Sequence, residues 1–506
     1  MAIEEAEQGS LPTRAFCPRA SIYANKGPQR GYKDVTQRCW QIRQREASKG
    51  YNWAMWNLLL PIALLTFPFQ RDLGACEPWL QEPAAKPEYS ADAHLQGLAR
   101  GIEKQVAEIR GMPFKRPVEV HFASKETFVQ YFRSMEERMG GAERAERERQ
   151  MAVLLQLIPS DLDVGALQEE LLAGQVGGFY DPAEDTFFVM EGLADDLIRI
   201  IMAHELTHAL DDQYFDLGAK DLELQASTDS LLAHHAVIEG CAQVVMNQWL
   251  ILNQRSLDQK ALQEFQEQMD MQSLAVAPRL VWKPIMALYV HGHAFLVRKT
   301  KLGVLDMFKK VASEDLDRAF QHLPASTEQI LHPKKYWVEE ALDPPHSIQQ
   351  DLSELPEGWK TFHSDVLGEL FLGLLSVPPD GSLTPMSILT LKHTDSSNAG
   401  WGGDRVQILT KADAKVLVLD TLWDTEVDAE EFAGALAKRN FPVDLLPGRA
   451  ESQVQFQKGS RWVRLVAWIA SSREEAKEVA SCIPASASRL GKISAPGPPK
   501  RRGASK

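Results

Sequence analysis

Apolar residues recur at helical spacing from Ala91 to Arg110 (Leu95, Leu98, Ile102, Val106, Ile109), and Gly111 ends the run. Pro117 to Ala123 then alternates as a half-buried strand does, with Ser124 placed to cap a helix beginning near Glu126. Gly140 to Gln150 is dense in Glu and Arg and reads as a solvated helix face. Helical stretches come next around Leu154 and from Asp163 to Leu172. Gly177 to Pro182 and Asp185 to Met190 are extended pieces about a turn at Asp181-Pro182, a hairpin pattern. No Pro or Gly interrupts the largely apolar stretch Asp195 to Gln213, which predicts a long helix, and a second runs from about Leu222 to Leu250.

Pro-rich breaks at Asp343-Pro344-Pro345 and Leu355-Pro356-Glu357-Gly358 separate this region from the C-terminal part of the chain. Residues 360–376 read as helical. Gly400 to Arg405 reads as a tight turn before strand Val406 to Leu409, and it lacks the Gly-Lys-Ser/Thr ending of a phosphate loop. Lys415 to Leu419, Val454 to Lys458 and Trp462 to Ile469 complete the strands, with helices from Asp428 to Lys438 and Arg473 to Ser481. The expected class is α+β: a small sheet with helices over 91–345, then a small α+β domain with an antiparallel sheet over 360–490.

The ends differ in character. Residues 1–54 hold nine Lys or Arg against five Asp or Glu with little apolar periodicity, so they are expected to be disordered, or untranslated if synthesis starts at Met55. Within 55–76, Trp56 to Phe69 is free of charge but broken by Pro61 and Pro68, short for a membrane span and suited to a signal-peptide core. Leu73-Gly74-Ala75-Cys76 resembles a lipoprotein box. Residues 77–90 read as a linker and 491–506 as a disordered tail. These features predict export to the cell envelope or beyond, with the apolar segment or Cys76 as a candidate membrane anchor.

At 506 residues, 44% apolar and 25% charged, the composition is that of a globular protein of two or three domains. A net charge of −14 argues against nucleic acid as a partner. The five cysteines are scattered without a C-x-x-C pair, so a metal must rely on His and carboxylate ligands. No feature speaks to oligomeric state.

The long helix carries His204-Glu205-Leu206-Thr207-His208, an H-E-x-x-H motif. Residues i and i+4 share a helix face, so the two imidazoles can converge on one cation, with Glu205 beside the place of a metal-bound water. A catalytic zinc takes three protein ligands. The metzincin pattern is excluded, because Asp211 and Tyr214 stand where it needs Gly and His. Glu239, a carboxylate in the apolar run Ala236 to Ala242, is the foremost third ligand. His234 and His235 are rivals, Glu223 and Asp229 weaker ones, and a buried Glu paired with an Arg is the structural alternative. Gly240 would permit a close approach by a neighbouring helix. Tyr289 and His332 are the candidate transition-state donors; Tyr289 with His293 shares a helix face, and Ser326 with Gln329 fits a capping box.

The H-E-x-x-H helix followed by a helical Glu239 resembles the gluzincin branch of zincin metallopeptidases, over roughly Pro117 to Pro345. The resemblance implies that His204, His208 and Glu239 bind one Zn2+, and that Glu205 is general base on the metal-bound water and later proton donor to the leaving amine. Gln243 stands where the family has an orienting Asp, so Asp211 or Asp212 is expected in that part. The aminopeptidase signature G-A-M-E-N is absent, which points to an endopeptidase acting on peptides or proteins. The alternative is an inactive zincin-like protein that binds metal or a partner.

Overall fold

The structure is a computed structural model that describes residues 92–130, 141–167, 177–258, 260, 277–378, 391–439 and 450–489. The segments 1–54, 55–76 with Cys76, and 77–90, and the tail 491–506, lie outside the described residues.

The apolar repeat ending at Gly111 forms α1 (Ala93–Arg110). Asp92 accepts from the Leu95 amide at its start, and Gly111, at φ 82°, donates its amide to Ala107 O at its end. Then come β1 (Glu119–Ala123), α2 (Gly141–Leu154), β2 (Gly178–Asp181), β3 (Thr186–Met190), α3 (Asp195–Phe215), α4 (Leu217–Leu224), α5 (Thr228–Asn253) and α6 (Arg279–Leu296). β2 and β3 are the expected hairpin, and β1 adds to β3 in parallel, so β2 is an edge strand. α3 packs against α1, α5, β2 and β3. Enclosure by helices and strands together is why its sequence is apolar on nearly every side rather than along one stripe.

α5 and α6 cross backbone to backbone. A Cβ on Gly240 would lie 2.3 Å from Gly292 C, and one on Gly292 2.0 Å from Ala236 O. This is the close approach expected of Gly240, and only a residue without a side chain allows it.

After α6 come α7 (Ser313–Gln321), α8 (Thr327–Leu331), α9 (Lys334–Trp337), β4 (His346–Gln350), β5 (Lys360–Asp365), α10 (Gly368–Ser376), β6 (Trp401–Lys411), β7 (Ala414–Trp423), α11 (Glu426–Lys438), β8 (Glu451–Phe456), β9 (Trp462–Ile469), α12 (Arg473–Ser481) and β10 (Ala485–Arg489). An antiparallel sheet runs β5-β6-β7-β9-β8, and β4 pairs with β10 in a separate antiparallel ribbon. The class is α+β, as expected.

Two expectations are corrected. Residues 360–365 are strand, not helix, and α10 begins only at Gly368. A bulge between Thr361 and His363 breaks the period-two alternation by which a strand is recognised. The Gly-rich stretch after 400 is mostly strand as well: only Gly400, at φ 79°, makes the turn, while Gly403 leaves room for β4, whose His346 O would lie 2.5 Å from a Cβ there. The two expected domains also share structure. Met151, Leu154 and Leu155, in or just after α2, lie in one core with Phe371, Trp423 and Leu465, and all described residues belong to one compact unit. Among them, no helix is long and apolar enough to cross a membrane.

Candidate metal centre

His204 and His208 stand one turn apart on α3, with ring centroids 4.7 Å apart and planes at 84°. Glu239 of α5 faces both: its Oε2 lies 3.1 Å from His204 Nε2, and its Oε1 lies 3.6 Å from His208 Nε2. The rivals are engaged elsewhere. His234 and His235 turn to Asp221, Glu223 is exposed beside Lys220, and Asp229 accepts from the amide and hydroxyl of Thr327. Of the alternatives open at the sequence level, Glu239 is the one brought to the imidazoles.

The α5–α6 crossing supplies a further group. Tyr289 lies one turn before Gly292, donates a side-chain hydrogen bond to Glu239, and holds its ring 6.0 Å from that of His204. His332 is not brought here. Its backbone leaves the helix before Pro333, and its Nε2 sits 2.9 Å from Glu369 Oε1 of α10. His293 faces Asn247, at 3.4 Å, so Tyr289 and His293 make no joint site.

Glu205 points from α3 toward the edge strand. Its Oε2 accepts the Tyr180 amide at 2.8 Å, and its Oε1 is buried with no hydrogen-bond partner. The Tyr180 hydroxyl is shared between Asp185 Oδ1, at 2.9 Å, and Asp212 Oδ2, at 3.0 Å. One residue thus ties β2 to α3 twice, through its amide and through its phenol. The sequence carried no signal for this contact, because a main-chain amide is the same in every residue but proline.

Burial dominates the electrostatics. It pushes the His204 and His208 imidazoles down to about 3, so both are neutral, the form in which a histidine binds metal. Burial raises the Glu239 carboxyl, and burial together with the charge of Glu239 raises that of Glu205, while the Tyr180 amide opposes the rise. Among the described residues no Lys or Arg pairs with Glu239. The buried guanidinium nearby, Arg110, goes to Asp211 and Asp317, each at 2.8 Å, which removes the structural explanation for Glu239.

This donor set fits a divalent metal. Two neutral imidazole nitrogens and one carboxylate oxygen lie within 4.8 Å of one another, all buried. A dication at that point would compensate two buried carboxylates with which, among the described residues, no Lys or Arg pairs. The set departs from common practice in one respect: Nδ1 of neither His204 nor His208 has a hydrogen-bond partner. The expected orienting residues are committed to other groups, Asp211 to Arg110, and Asp212 to Tyr180 and the Leu217 amide. Gln243 Nε2 is buried and unpartnered. A further acidic group, Glu328, Asp343 and Asp424, closes around Lys335 Nζ at 2.6 to 2.7 Å and needs no metal.

Fold and site define an α+β protein with a buried His-His-Glu cluster able to hold a metal. Residues 356–464 match a family described as a domain of unknown function (DUF8575), a stretch that excludes the cluster. No curated protein and no solved structure matches the chain.

Proposed function

We propose that the protein is a zinc metallopeptidase of the gluzincin type, cleaving internal bonds of peptides or proteins outside the cytoplasm. His204, His208 and Glu239 would hold the ion. The observation that carries this reading is the state of Glu205: one oxygen is anchored on the Tyr180 amide, and the other is unpartnered beside the three ligands. A purely structural metal site has no use for such a group.

Zinc bound there would polarise a carbonyl and ease deprotonation of water. Glu205 takes the proton of the attacking water on Oε1 while Tyr180 steadies Oε2, and later returns it to the leaving amine. Tyr289, at the ligands and already a donor to Glu239, serves the negative charge that develops on the substrate oxygen. His332, engaged with Glu369, has no part in that step.

A second reading, a metal-holding protein without turnover, is favoured by burial. His204, Glu205 and Glu239 are at most 1% exposed, and β2 is buried along its length. Digestion of casein or a peptide library by the zinc-loaded full chain separates the readings. The wild type is expected to cleave, and Glu205→Gln to keep its zinc while losing roughly 10²- to 10⁴-fold in kcat/KM. Equal cleavage by both proteins defeats the catalytic assignment. Zinc bound with no cleavage by either establishes the second reading.

A further inference from the structure

We propose that Asp221, His234 and His235 form a second divalent-metal site, separate from the centre on α3, for a borderline ion such as Zn2+. His234 and His235 are neighbours on α5, and successive side chains of a helix diverge by about 100°. Their rings nevertheless meet a single carboxylate oxygen, because each presents a different nitrogen. His234 offers its near nitrogen, Nδ1, 2.8 Å from Asp221 Oδ1, and His235 its far one, Nε2, at 3.0 Å. Ligands bound at 2.0–2.1 Å around a tetrahedral ion sit about 3.3 Å apart, close to these separations.

All three side chains are buried, at 1 to 3% exposure, and their donor atoms lie within 4.8 Å of one another. No Lys or Arg among the described residues pairs with Asp221; the adjacent Lys220 reaches outward to Glu223. As a bare hydrogen-bonded triad, the three bury a carboxylate against two rings that both meet one of its oxygens, Oδ1. A dication matches the donor set.

Position gives the site a use. α4 carries Asp221 and forms the connection between α3, with His204 and His208, and α5, with Glu239. His235 and Glu239 are one turn apart on α5. An ion clamping α4 to α5 therefore fixes the connection that sets the third ligand against the first two.

The test is zinc stoichiometry of the full-length chain after equilibrium dialysis against Zn2+, read by elemental mass spectrometry. Two ions per chain are expected for the wild type and one for Asp221→Asn. One is also expected for the His204→Ala/His208→Ala double variant, and none when all three changes are combined. The wild type alone decides if Asp221→Asn does not fold: Co2+ titration should then show two saturating visible-absorption phases. Two ions retained in folded Asp221→Asn overturn the proposal, as does a single wild-type ion lost in His204→Ala/His208→Ala. A single ion lost in Asp221→Asn but kept in the double variant upholds this site and overturns the peptidase centre instead.

Discussion

Arg110→Met should destabilise the protein by about 4 kcal/mol. Arg110 is fully buried, and its Nε lies 2.8 Å from Oδ1 of Asp211, itself 1% exposed. Removing one partner of such a pair strands the other charge, at a cost of roughly 3–5 kcal/mol. The second contact, to Asp317 at 20% exposure, adds at most about 1 kcal/mol. Met occupies much of the space of the Arg stem, whose guanidinium carbon lies 5.9 and 5.8 Å from the mutually stacked rings of Phe215 and Phe320, so the cavity contribution is small. Adding Asp211→Asn removes the stranded charge and should restore at least about 2 kcal/mol, a coupling that a double-mutant cycle reads from urea unfolding of the metal-free protein. The same pair of changes tests how His208 is oriented. With its Nδ1 unbonded to Asp211, zinc affinity in the double variant should stay near that of the wild type. An orienting Asp would cost about 10- to 100-fold. A single variant less than about 1 kcal/mol destabilised, a double variant no more stable than the single, or a tenfold loss of zinc affinity in the folded double variant would each refute this account.

Gly240→Ala drives a Cβ to within 2.3 Å of the Gly292 backbone, so it should cost at least about 2 kcal/mol in thermal unfolding and weaken zinc binding by moving the adjacent Glu239; wild-type stability would contradict the crossing. Tyr289→Phe should keep zinc and lose about 10²-fold in kcat with little change in KM, and an unchanged kcat would free Tyr289 of its assigned part. Burial pushes the Asp229 carboxyl up to about 8, against about 4 in the unfolded chain, so the folded state holds its proton longer and stability falls between those two pH values. Asp229→Asn cannot ionise and should gain at least about 1 kcal/mol on the wild type between pH 5 and pH 8 in urea titrations; parallel pH profiles would show that Asp229 is ionised when folded.

Much of the centre was legible one turn at a time. Two histidines at i and i+4 on a stretch without Pro or Gly must share a face, and in α1 Asp92 and Gly111 close the helix with hydrogen bonds reaching no more than four residues. Glu239 stood out because a carboxylate in an apolar run needs a partner, and Gly240 beside it marked the crossing. The choice of partner was another matter. That Arg110 takes Asp211 from 101 residues away, that Asp221 captures His234 and His235, that Glu369 takes His332, and that a main-chain amide of β2 steadies Glu205 all depend on which elements pack together. Periodicity and capping are read from neighbours within a turn. A buried charge is satisfied by whatever the folded chain brings within 3 Å of it, and no local pattern records that distance.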